Sequence, residues 1–108
     1  LFLGGAHFRI PVLIDGAISA AAAVLAARMD ARVPDCCIAS HCSREKVCAL
    51  LLEQIGCPAI LHADMCLGEG SGAVALLPLL DMAMEVYARM GTFTEYEIAP
   101  YARYEDGK

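Results

Sequence analysis

The sequence predicts an α/β fold built on a parallel sheet, and three observations carry that prediction. Short apolar runs alternate with helical patterns three times along the chain. The runs lack internal polar alternation, as expected of strands covered on both faces. A turn after each run leads into a helix. The resulting order of strand, helix, strand, helix, strand, helix calls for parallel neighbours joined by right-handed crossovers.

The chain opens with Leu1-Phe2-Leu3-Gly4-Gly5, without methionine and already inside an apolar run, which reads as a piece of a larger fold. Pro11-Val12-Leu13-Ile14-Asp15 forms the first strand, and Gly16 breaks it. Residues 18–29 read as a helix that is Ala-rich nearly all round, suited to close packing in a buried place. Val33-Pro34-Asp35 turns the chain into Cys36-Cys37-Ile38-Ala39, the second strand. Ser40-His41-Cys42-Ser43 follows as a loop, with Ser43 placed to cap the next helix.

In that helix Val47, Leu50, Leu51 and Ile55 keep a 3.6 period, while Arg44, Glu45, Lys46 and Glu53 face away. Gly56 and then Pro58 stop it. Ala59-Ile60-Leu61 is the third strand. A glycine-rich turn, Gly68-Glu69-Gly70-Ser71-Gly72, leads into a long helix over residues 73–90, kinked near Pro78. Glu85 and Arg89 pair on its outer face, and Met82, Met84 and Met90 serve packing. The polar residues 102–108 are expected to fray. Three strands alone leave an open sheet edge, so further strands are expected upstream.

Composition narrows the function classes. With 58% hydrophobic and 19% charged residues, the chain is more apolar than an average soluble domain. That much apolar surface is hard to hide within 108 residues. It implies a large interface or a further part of the same fold, and the opening residues favour the second. A net charge of -5 without any cluster of Lys and Arg excludes the basic stripe of a nucleic-acid binder. The longest uncharged stretch, residues 16–27, has 12 residues and falls short of a membrane span, so no membrane partner is expected. No basic-then-apolar leader is present, and a cytoplasmic protein is the expectation.

Six cysteines (Cys36, Cys37, Cys42, Cys48, Cys57 and Cys66) contain no C-x-x-C pair and come with no secretory context. They read as reduced thiols used as small apolar residues, and neither metal nor cofactor is expected.

Ligands of parallel α/β sheets gather at the carboxyl ends of the strands. Three loops occupy those positions: Asp15-Gly16, Ser40-His41-Cys42-Ser43, and Leu67-Gly68-Glu69-Gly70-Ser71-Gly72. Each leads to a helix start, where free N–H groups and the positive dipole end favour phosphate or carboxylate. Singly, each has an ordinary reading as a turn or a cap. His7, His41 and His62 each read as structural, and Cys42 lacks a spaced partner for a nucleophile's role. Convergence of all three loops on one edge favours a functional site. Glu69, set between two glycines, is either a plain acid at a helix start, contributing roughly 0.3–1 kcal/mol, or a general base in a cleft.

Three segments in register resemble one family. They are Ile10-Pro11-Val12-Leu13-Ile14-Asp15-Gly16, then Ile38-Ala39-Ser40-His41-Cys42-Ser43, then Leu67-Gly68-Glu69-Gly70-Ser71-Gly72-Ala73. With the 26-residue step from Ser43 to Glu69 and the following Leu77-Pro78-Leu79-Leu80-Asp81, they are similar to the nicotinate-nucleotide:dimethylbenzimidazole phosphoribosyltransferases over residues 6–93.

The resemblance implies a three-layer, Rossmann-like α/β fold. Residues 1–108 would be the C-terminal portion of a single phosphoribosyltransferase domain, its last residues running toward a small helical subdomain. It implies transfer of the phosphoribosyl group from nicotinate mononucleotide to 5,6-dimethylbenzimidazole, giving α-ribazole 5'-phosphate and nicotinate, by a homodimer in cobalamin assembly. Glu69 matches the family's catalytic glutamate. Asp15, Gly16, Ser40, Ser43, Leu67, Gly68, Gly70 and Ser71 match positions on the substrate side.

Cys66 departs from the family, which usually carries arginine there. The family's phosphate-binding segment lies upstream of these motifs, so the isolated chain is expected to be weakly active or inactive. The alternative is a non-catalytic α/β module that binds a nucleotide with the same loops, or a scaffold.

Overall fold

The computed structural model describes residues 1–97 and residue 99. Among the described residues the order is α1 (Phe2–Phe8), β1 (Val12–Asp15), α2 (Gly16–Met29), β2 (Cys37–His41), α3 (Lys46–Gln54) and α4 (Ser71–Arg89), with a 3-10 helix over Pro34–Cys36 before β2. The tail at residues 102–108, expected to fray, lies outside the described residues.

β1 and β2 pair in parallel, Val12 opposite Cys37, Leu13 opposite Ile38 and Ile14 opposite Ala39. The register then slips, bringing Asp15 opposite His41. The third expected strand, at residues 59–61, is a correction. It runs parallel beside β2 as anticipated, but only as an isolated bridge between His41 and Leu61. Its backbone bonds run from Ile60 N to Ala39 O (3.0 Å), Leu61 N to Ser40 O (2.9 Å) and Cys42 N to Leu61 O (3.2 Å). Pro58, lacking an amide hydrogen, gives the ladder nothing to extend on at its near end. Among the described residues the sheet therefore has two strands where three were expected.

Two other boundaries differ for local reasons. β2 continues through Ser40 and His41, expected to lie in a loop, because both side chains are buried and Ser40 Oγ donates to Ile14 O at 2.7 Å. A polar residue whose hydrogen bond is made inside the fold extends a buried strand at little cost. Cys36 instead falls in the 3-10 helix that Pro34 opens. α1 had no counterpart in the sequence reading, since Gly4 and Gly5 lower its helix propensity.

Val12, Ile14 and Ala39 of the sheet join Ala20, Ala23 and Val24 of α2 and Cys48 and Leu52 of α3 in one buried cluster. Small alanine side chains let α2 lie close, and α2 packs on both β1 and α3. Only that face is covered. Ile18, Leu25 and Met29 are 89%, 65% and 74% exposed, so α2 is not buried all round within this chain.

α3 starts at Lys46, after an extended Glu45. Ser43 therefore stands too far upstream to cap it, contrary to expectation. Its end is as read: Gly56 takes a left-handed φ of 64°, with Gly56 N bonded to Glu53 O and Cys57 N to Leu52 O, both at 3.0 Å. Those two bonds close the last turn in a Schellman motif.

α4 lies on β1 and β2 and buries Gly72 and Leu76. The Glu85–Arg89 pair forms on it. Met82, Met84 and Met90, expected to pack, are exposed because a two-stranded sheet spans only the first part of a 19-residue helix. By length and composition α4 is apolar enough to cross a membrane, although Asp81, Glu85 and Arg89 interrupt its second half.

Candidate functional site

β1 ends in Asp15, and the direction of its side chain organises the site. Asp15 Oδ2 accepts the Gly70 amide at 3.0 Å and Oδ1 accepts the Ala73 amide at 2.8 Å. Both donors belong to the unsatisfied first turn of α4, so a carboxylate from the sheet does the capping that no local side chain does. Its negative charge also sits at the positive end of the helix dipole. Asp15 is itself held, its amide donating to Ser19 Oγ at 2.7 Å while Ser19 Oγ donates to Gly16 O at 3.0 Å.

β2 ends in Ser40 and His41. Ser40 has no exposure, and its single hydroxyl hydrogen goes to Ile14 O. In the 3.2 Å contact between Ser40 Oγ and His41 Nδ1, the ring nitrogen must therefore supply the hydrogen. Nδ1 also stands 3.8 Å from Asp15 Oδ1, beyond hydrogen-bond range. The imidazole packs against the start of α4, and a Cβ on Gly72 would overlap the ring at Nδ1. Glycine at 72 is thus a condition for α4 approaching the sheet.

Gly68, Glu69 and Gly70 have φ of 80°, 57° and 80° in succession. Glycine adopts this left-handed backbone freely. Glu69 does so at a cost of roughly 1–2 kcal/mol. Strain of this kind persists only where surrounding bonds fix the chain, and it concentrates at functional sites. The bonds from Gly70 and Ala73 to Asp15, and Ser71 N to Gly68 O at 3.1 Å, supply that fixation.

Asp15, Gly16, Ser43, Gly68 and Glu69 line one cleft of about 230 Å³. All three sequence loops thus reach the same cavity. Glu69 borders it while remaining exposed, so within this chain its carboxylate is not enclosed. Among the described residues, Ser43 Oγ is buried without a hydrogen-bond partner, and so is Ser71 Oγ. A buried hydroxyl left unpaired is costly, and an orphaned one bordering a cleft is suited to a ligand oxygen.

Ser40, Leu67, Gly70 and Ser71 do not line the cleft. Ser40 is turned into the sheet, Leu67 is 80% exposed, and Gly70 and Ser71 build the helix start behind Glu69. Sequence reasoning missed His41 and Arg44, both in the cleft lining. Arg44 directly follows Ser43, and that adjacency was the available signal for a cation beside the loop. Cys66, the departure from the resembling family, lines the cleft too.

The Cys42 thiol offers little nucleophilic power. Burial, aided by neighbouring Cys48, raises the Cys42 pKa above the ordinary thiol value, which keeps it protonated at neutral pH. All six cysteines are free. Among the described residues, no three His, Cys, Asp or Glu side chains group as a metal site.

Known proteins resemble this chain in sequence and fold. The model of a family described as phosphoribosyltransferase matches residues 1–98. The nicotinate-nucleotide–dimethylbenzimidazole phosphoribosyltransferase of Clostridium acetobutylicum is 43% identical over 100 residues, 93% of this chain and 28% of its own length. The protein of that name from Cupriavidus necator is 41% identical over 93 residues, 86% of this chain and 27% of its own. A crystal structure of the enzyme so named from Thermus thermophilus superposes with a TM-score of 0.82 at 36% identity, covering 93% of this chain and 30% of that one. The chain therefore spans under a third of the length of the relatives it matches.

Proposed function

The chain belongs to this phosphoribosyltransferase family, and from that membership we propose that it contributes the catalytic base to transfer of phosphoribose from nicotinate mononucleotide to 5,6-dimethylbenzimidazole. The observation that carries the reading is the shared cleft of Asp15, Gly16, Ser43, Gly68 and Glu69, with a strained glutamate on its rim.

In this reaction one ring nitrogen of the neutral benzimidazole attacks the anomeric carbon of the nucleotide. The bond from that carbon to the pyridinium nitrogen breaks, and its electron pair leaves with nicotinate, which needs no acid to depart. The second ring nitrogen must lose its proton, or the product would carry a positive charge. Glu69 takes that proton. A carboxylate within hydrogen-bond reach of the N–H strengthens the nucleophile as the bond forms. Holding both substrates in one cleft supplies further acceleration.

The unpaired Ser43 hydroxyl and the nearby Arg44 suit the oxygens of a sugar phosphate. Gly16 and Gly68 give a ligand close access to the backbone. Glu69 is exposed in this chain, so enclosure of the reacting atoms falls to the portion of the family fold that this chain does not span. A homodimer belongs to the same proposal. Exposed apolar residues of α2 and α4, among them Ile18, Leu25, Met82 and Met84, supply surface for it.

The test is incubation of the full-length protein with nicotinate mononucleotide and dimethylbenzimidazole. The proposal expects release of nicotinate together with α-ribazole 5'-phosphate. Binding of the nucleotide without release would instead fit a non-catalytic module.

A further inference from the structure

We propose that Asp15 is a positioning residue for Glu69: its carboxylate fixes the turn that aims the base, and it acts on the reaction through that turn. The inference rests on Glu69 being the base. Glu69 is exposed and flanked by glycines, so no packed neighbour on either side confines its side chain. Its direction is set by the backbone of residues 68–70, a run of three left-handed conformations that an unconstrained chain would leave.

The restraint comes from Asp15. Oδ2 binds the amide of Gly70, the peptide directly after Glu69, and Oδ1 binds the amide of Ala73 one helical turn later. The two oxygens thus clamp both the turn and the helix that continues from it. The clamp is anchored in turn. Asp15 is the last residue of β1, paired across the sheet with His41, and its amide is bonded to Ser19 Oγ. Its side chain is only 18% exposed, so water competes weakly for the two bonds. With both acceptor oxygens committed to protein amides, the contribution of Asp15 to catalysis is placement of the next loop. Displacement of a reacting group by about 1 Å lowers turnover by on the order of a hundredfold.

A double-substitution cycle on the full-length protein tests this, with nicotinate release as the readout. Asp15→Ala is expected to lower kcat by about tenfold or more, with a smaller change in KM for nicotinate mononucleotide. In a Glu69→Gln background the same change is expected to lower the residual rate less than about twofold, because the group being positioned is already gone. Asp15→Asn keeps one acceptor oxygen and is expected to fall between. If Asp15→Ala fails to fold by circular dichroism, Asp15→Asn carries the cycle.

A merely structural role would reduce both backgrounds by the same factor. Equal losses in the two backgrounds, or a kcat for Asp15→Ala within about twofold of the unsubstituted protein, would overturn the inference. Those results leave Glu69 as the base. Absence of transfer in the unsubstituted protein would instead overturn the base reading, and this inference with it.

Discussion

The Asp15 carboxylate accepts the Ala73 amide hydrogen at 2.8 Å across 58 positions of sequence. With its second bond to Gly70, it joins the end of a strand to the start of the last helix. Loss of a cap of this type destabilises by about 0.5–2 kcal/mol. Asp15→Ala is therefore expected to lower the urea midpoint with little change in m. An unaltered midpoint would mean that the cap contributes nothing.

Gly72 meets the His41 ring where any larger residue would have to stand. A Cβ there would overlap Nδ1, and His41 is 4% exposed with little room to retreat. Gly72→Ala is expected to cost about 1–3 kcal/mol through overpacking. The cost should shrink in a His41→Ala background, because the clashing ring is then absent. Equal costs in the two backgrounds would place the strain elsewhere.

Burial pushes the Cys37 thiol up to about 11, with Cys57 and Cys36 adding in the same direction. The sign follows from proton counting. Between the ordinary thiol value near 9 and about 11, the unfolded chain has released a proton that the folded chain keeps. Stability from this group is full below that window and is lost as pH rises through about 11. Urea unfolding at several alkaline pH values should show a steeper decline for the unsubstituted protein than for Cys37→Ala. Parallel declines would show that Cys37 is not the group responsible.

Much of the fold was legible because its signals are local. Val12, Leu13 and Ile14 form an uninterrupted apolar run, and the Gly56–Pro58 stop is written in adjacent residues, so β1 and the end of α3 were readable. The errors arose where distant partners decide. Ser40 and His41 looked like loop because nothing nearby reveals that Ile14 O and the start of α4 await them. α1 was hidden by two glycines. The third strand was over-extended because an apolar run gives no warning that its ladder stops at one bridge.

The site divides in the same way. Strand ends of a parallel sheet share an edge by geometry, so the meeting of Asp15, Ser43 and Glu69 at one cleft could be inferred from order alone. The direction of the Asp15 carboxylate could not, because its partners lie 55 and 58 positions away. Nor did the sequence reveal that Ser43, three residues before α3, would leave its hydroxyl uncapped and unpaired.

The most direct measurement is the turnover of Glu69→Gln in the full-length protein with nicotinate mononucleotide and dimethylbenzimidazole. Glutamine keeps the size of the side chain and removes its capacity to accept a proton. Loss of general-base help is expected to lower kcat by roughly 10²–10⁴-fold while nucleotide binding changes little. Turnover close to that of the unsubstituted protein would contradict the assignment of Glu69 as the base.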